Sequence, residues 1–75
     1  MTKKDKKIIE DAERAGIPIF VFTAKDILSI EILNDYYNQC LSVLCEENHT
    51  NGIIERIDEF QSWQNNNPEK VKLPD

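Results

Sequence analysis

A chain of 75 residues with a formal charge of −5 holds one domain at most, and it is a poor candidate for general nucleic-acid binding, which needs many Lys and Arg contacts to phosphate. The same charge disfavours an anionic membrane surface, and no apolar run approaches the ~18 residues of a membrane span. A hydrophobic fraction of 40% beside 31% charged residues suits a folded domain, but a chain this short buries only about 60% of its unfolded surface and needs very good packing, a crosslink, a metal or association.

The first predicted element is a helix over Lys3–Ala15. Ile8, Ile9, Ala12 and Ala15 make a narrow apolar stripe, and the alanines allow another backbone to approach. Gly16 stands where a helix ends in the left-handed region, and Pro18 bars continuation. Lysines at 3, 4, 6 and 7 oppose the helix dipole, so residues 1–5 are expected to fray, as are 74–75 at the other end.

Residues 18–22 are β-branched and aromatic and read as a short extended segment. One strand cannot satisfy its own backbone. Its partner is expected to be either the only other strand-like run, residues 71–73, or the same segment of a second protomer.

Three start signals then converge on a long second helix over 24–47. Thr23 is a capping residue, Asp26 completes a capping-box-like pair, and Phe22 and Ile27 sit where a hydrophobic staple would close. On this helix Ile30, Ile32, Leu33, Tyr36, Tyr37, Cys40, Leu41, Val43 and Leu44 cover roughly half the circumference at ~100° per residue. A helix with one neighbour needs a stripe of only ~100°, so this one should have neighbours on two sides. Cys40 and Cys45 on one helix would point roughly 140° apart and could not bridge. Two such thiols fit a reducing compartment, and the chain reads as cytoplasmic.

Residues 48–52 have the composition of a turn. A third helix is predicted over 51–65, with Ile53, Ile57 and Phe60 as its core line and Arg56 placed to stack on Trp63. The run 65–68, three asparagines and a proline, ends it. Val71 and Leu73, two apart, suit an extended tail.

Several residue sets suggest chemistry, each beside a plainer reading. Thr23 and Lys25 follow an extended run and open a helix, which is the layout of a small-anion site. Glycines that would let a phosphate approach are missing and Asp26 would repel it, which favours simple capping. Tyr36, Tyr37 and Trp63 are candidate stacking surfaces for such a ligand. Cys45 and His49, four apart, do not make a metal site by themselves. Glu31 and Asp35, like Glu55 and Glu59, are acid pairs on polar arcs, where carboxylates are ordinarily solvated. No nucleophile–base set and no phosphate or dinucleotide loop occurs. Phe20 and Phe22 are candidates for a protein interface, together with the polar arc Glu31, Asp35 and Asn38.

The sequence therefore predicts a single mainly α domain over 1–75. It has three helices, with a long central helix in an antiparallel hairpin, a short extended segment at 18–22 and an extended tail. It is expected to be a non-enzymatic binding or regulatory module without cofactor or metal. Such a module would self-associate as a dimer or higher oligomer and take a protein or a small anionic ligand. The competing readings are an assembly protein whose apolar face is its purpose and, last, a minimal enzyme using acidic side chains. Size and composition alone are like those of phage and mobile-element accessory proteins, inhibitors of host defence among them.

Overall fold

The computed structural model describes residues 1–73, and within them the chain is mainly α: α1 over Lys3–Ala15, α2 over Ser29–Ser42 and α3 over Glu47–Asn66. One 3-10 turn, Pro68–Lys70, follows. The expected fate of residues 74–75 lies outside the described residues. No helix among the described residues is long and apolar enough to cross a membrane.

α1 has the predicted bounds and a cap the sequence reading missed. Thr2 Oγ1 accepts the Asp5 N–H at 3.0 Å. At the other end Gly16 adopts φ 70 and the Ile17 N–H reaches the Ala12 carbonyl at 2.9 Å. That wrap satisfies carbonyls the last helical turn leaves open, in a conformation glycine adopts without a Cβ penalty.

The start of α2 differs from expectation. Thr23 and Asp26 do not cap a helix; the Asp26 N–H bonds back to the Thr23 carbonyl at 3.1 Å and the Asp26 carboxylate accepts the Leu28 N–H at 2.8 Å. These are turns, and the helix starts only at Ser29, with no side-chain cap. The cause is the tail. The Lys72 N–H donates to the Lys25 carbonyl and the Ile27 N–H donates to the Lys72 carbonyl, both at 2.9 Å, a parallel bridge. Gln64 Nε2 of α3 donates to the Ala24 and Asp26 carbonyls as well. Helix formation at 24–27 would compete for these same backbone groups.

The turn into α3 is also displaced. α2 ends at Ser42 and Leu44 takes φ 59, after which the Cys45 N–H reaches the Cys40 carbonyl at 3.0 Å. A left-handed leucine is strained by its Cβ, at a cost of roughly 1–2 kcal/mol, yet it reverses the chain within residues 43–46. Residues 48–52 are then free to join α3, which begins at Glu47. α3, not α2, is therefore the longest helix. The two pack against each other as the expected antiparallel hairpin, an arrangement that a short turn favours. Ile53 is buried in their seam, Ile57 and Phe60 are half-buried, and Cys40 is buried opposite.

The second neighbour expected for α2 stands off from it across a hollow, with Ile8 of α1 and Leu33 of α2 in the same lining. No Cα of α1 lies within 8 Å of a Cα of α2 or α3, and Ile32, Tyr36 and Leu41 remain exposed. The only buried hydrophobic residues are Ala12, Cys40 and Ile53, among those described. The radius of gyration is 13.6 Å, where ~11 Å is usual for this length.

Gly52 tests the displaced turn. It now lies inside α3, and a Cβ there would meet nothing within 4 Å. Gly52→Ala should raise stability by about 1 kcal/mol in urea or thermal unfolding. A loss of stability would mean that residues 48–52 form a turn after all.

Candidate functional site

The open side of the molecule lies between α1, the extended arm at 17–23 and α3. Three connected hollows of about 620, 310 and 380 Å³ occupy it, and Asp5 and Arg56 line all three. Arg56 projects from the middle of α3. Its Nη2 donates to Asp5 Oδ2 at 3.0 Å and its Nη1 to both carboxylate oxygens of Glu59, at 3.0 and 3.1 Å. The guanidinium thus turns away from the expected stack on Trp63 and bridges two acids. It ties α1 to the hairpin across the hollow and leaves one surplus negative charge.

The largest hollow has an apolar wall of Val21, Phe22 and Phe60. The Phe22 and Phe60 rings meet edge to face with centroids 6.2 Å apart, and Phe20 follows at 6.4 Å from Phe22. Geometry of this kind is favoured by the ring quadrupoles and adds to the burial of ring area. Phe22 is the arm's anchor; Phe20 projects beyond it, 86% exposed.

The Asp5 carboxyl feels opposing influences. Partial burial raises its pKa, but hydrogen bonds from Thr2 and the Arg56 guanidinium outweigh this and hold it below the usual carboxylate range. Thr2 thereby caps α1 through its hydroxyl, which accepts the Asp5 N–H at 3.0 Å, and also lowers the Asp5 pKa.

A second cluster sits where α2 turns into α3. The Tyr36 hydroxyl and His49 Nε2 share a hydrogen bond of 3.0 Å, with the rings edge to face at 5.8 Å. The reversal at Leu44 brings Cys45 back beside Cys40, so the thiols are not splayed on one helix as expected. Both are free. Hydrogen bonding to the Cys40 thiol, then burial, pushes the pKa of Tyr36 and of Cys45 upward, which keeps these groups protonated and blunts the thiol as a nucleophile. Among the described residues no group of three or more His, Cys, Asp and Glu is arranged to hold a metal ion.

The remaining predicted site residues scatter. Thr23 is exposed and its Oγ1 accepts the Lys25 N–H at 3.3 Å. With α2 starting at Ser29, neither Thr23 nor Lys25 stands at a helix N-terminus. Tyr36 borders the hollow beneath Arg56. Tyr37 and Trp63 are half-buried, and Trp63 lends its carbonyl to Asn67 Nδ2 at 2.9 Å. Glu31, Asp35 and Asn38 are exposed along α2 and border none of the three hollows. Phe20 and Phe22 come together with Asp5, which the sequence reading did not single out, and with Arg56, Glu59 and Phe60, which it gave other roles. The signal that could have found it is the Thr2–Asp5 spacing, the same as Thr23–Asp26, beside an arginine on α3 with no expected acid partner.

Comparison with known proteins finds no matching family model, no matching curated protein and no matching solved structure.

The low Asp5 pKa has a consequence for α1. A depressed folded value contributes stability that is present above the ordinary ~3.9 of an unfolded aspartate and is lost as pH falls through the folded value. Asp5→Asn should therefore be less stable than the parent chain at pH 6, and the gap should close as the pH is lowered from about 4 toward 2. Urea unfolding midpoints across that range check this. A gap independent of pH would contradict the role given to the carboxylate.

Proposed function

We propose that this protein is a non-enzymatic binding module that works in self-associated form and takes an apolar, cation-bearing segment of a protein partner into the hollow between α1, the arm and α3. The observation that carries the reading is the pairing of the Val21, Phe22 and Phe60 wall with the Asp5–Arg56–Glu59 bridge. Such a surface offers apolar area and a fixed polar edge, which is what a binding pocket needs for grip and orientation. Its charges are already matched except for one acid, so it has little to offer an anion and favours a cation at its rim. This shifts the expected ligand away from the anionic class and toward a protein segment.

Self-association is supported by surface area. The chain exposes 6136 Å², whereas a folded monomer of this mass exposes ~4,700 Å², an excess on the order of 1,000 Å². Much apolar side chain is part of that surface: Ile8, Ile17, Phe20, Val21, Val43 and Leu44 are all more than half exposed. The same observation favours the second reading, an assembly protein, and the two part over whether the hollow takes a ligand.

Tryptamine and indole-3-acetate, an aromatic with a cation or an anion, discriminate. Tryptamine should perturb the NMR signals of Phe22 and Phe60 and bind about fivefold more tightly, roughly 1 kcal/mol of Coulomb preference, with Phe60→Ala abolishing the effect. Equal or better binding of the carboxylate would contradict the proposed specificity, and no binding of either would favour the assembly reading. Native mass measurement should show a dimer or larger species; a strictly monomeric chain at high concentration would contradict self-association.

A further inference from the structure

Residues 19–22 are an apolar segment outside every helix, with no strand paired to it among the described residues. Among the described residues, their backbone makes no backbone hydrogen bond. Phe20 is 86% and Val21 63% exposed, and no charged residue occurs from 17 to 24. An unpaired edge of this composition is a template for another strand. The chain's own tail, the natural internal candidate, is already bonded to residues 25 and 27.

We propose that this edge is filled by the same segment of a second copy of the chain, antiparallel, with Val21 opposite its own counterpart. The proposal rests on the self-association reading above and specifies its interface. Three observations select a second copy as occupant. The excess surface is enough to supply the ~800 Å² per partner of a standard interface. The segment carries no charge, so two copies meet without repulsion. Its rings are also arranged for self-pairing: Phe20 and Phe22 lie on one side of the arm, 6.4 Å apart.

Symmetry then fixes the register. A two-fold axis normal to a two-stranded antiparallel ribbon sets one residue opposite itself. Centring on Phe20 would bring Pro18, which has no N–H, into the ladder opposite the partner's Phe22. Centring on Val21 keeps Pro18 outside and sets Phe20 opposite the partner's Phe22. Four phenylalanine rings then share one face of the ribbon, continuous with Phe60 on each protomer, and cross-strand aromatic pairs of this kind stabilise a sheet.

Sedimentation of the full chain over a concentration series, with helix content followed by circular dichroism, tests this. The wild-type chain should be dimeric. Phe20→Asp, at a side chain that the isolated protomer exposes, should weaken the dimer by about 100-fold or more, because each acid is buried unpaired against the partner's Phe22, with helix content unchanged. Leu44→Asp, an equally exposed apolar-to-acid change away from the arm, should leave the dimer intact. A dimer that survives Phe20→Asp overturns the arm interface while leaving self-association standing. A wild-type monomer at all concentrations overturns both. A monomer that binds neutral phosphatidylcholine vesicles through Phe20 would assign the edge to lipid and overturn the proposal.

Discussion

Lys72 spends both of its backbone hydrogen-bonding groups on residues 25 and 27, and the rest of the architecture depends on that bridge. It holds residues 24–27 out of helical geometry, so α2 begins at Ser29. It brings the tail against the loop that Gln64 clamps from α3. Above all, it removes the one internal strand that could have covered residues 19–22. The arm leans on Phe60 through Phe22, and α1 beyond it is tied to the hairpin by Arg56 rather than by close helix packing.

The functional surface follows from the same constraint. Had the tail paired with the arm, the hollow between α1, the arm and α3 would have a sheet for one wall and no free edge. In its place the molecule presents an apolar recess closed by one arginine between two acids, next to an arm on which Ile19, Phe20 and Val21 are exposed. On the readings proposed above, the first would take a side chain of a partner and the second would form a seam between chains. A small domain that buries little of its own surface gains stability from association, so the dimer proposed above would link that edge to the stability of the fold.

How much of this was legible in the sequence varies by element. α1 and its Gly16 stop were, because the apolar stripe, the glycine and Pro18 are local signals that agree. The Ile53–Ile57–Phe60 line of α3 was also legible, from its period. The start of α2 was not. Thr-x-x-Asp occurs at residue 2 and at residue 23, and the two do opposite things. The first caps a helix; the second makes turns, because a tail nearly fifty residues away claims its backbone. Local propensity cannot register a long-range hydrogen bond. The turn at 43–46 was hidden for a related reason: a leucine holds the left-handed position that glycine or asparagine would signal, while Gly52 and its asparagine neighbours, which do signal a turn, lie within a helix. That displacement also turned two cysteines predicted to diverge into neighbours. The Asp5–Arg56–Glu59 bridge, the heart of the candidate site, joins residues fifty apart in the chain and could only be read once α1 and α3 had been placed.

Residue-resolved amide hydrogen exchange at low and high protein concentration tests the central claim most directly, that the tail pairs with residues 25–27 and leaves the arm for another chain. The amides of Ile27 and Lys72 should be protected at every concentration, while those of residues 19–22 exchange freely in dilute protein and become protected as it is concentrated. Protection of residues 19–22 at all dilutions, with the Ile27 and Lys72 amides exchanging freely, would show that the arm has an internal partner and would contradict the account.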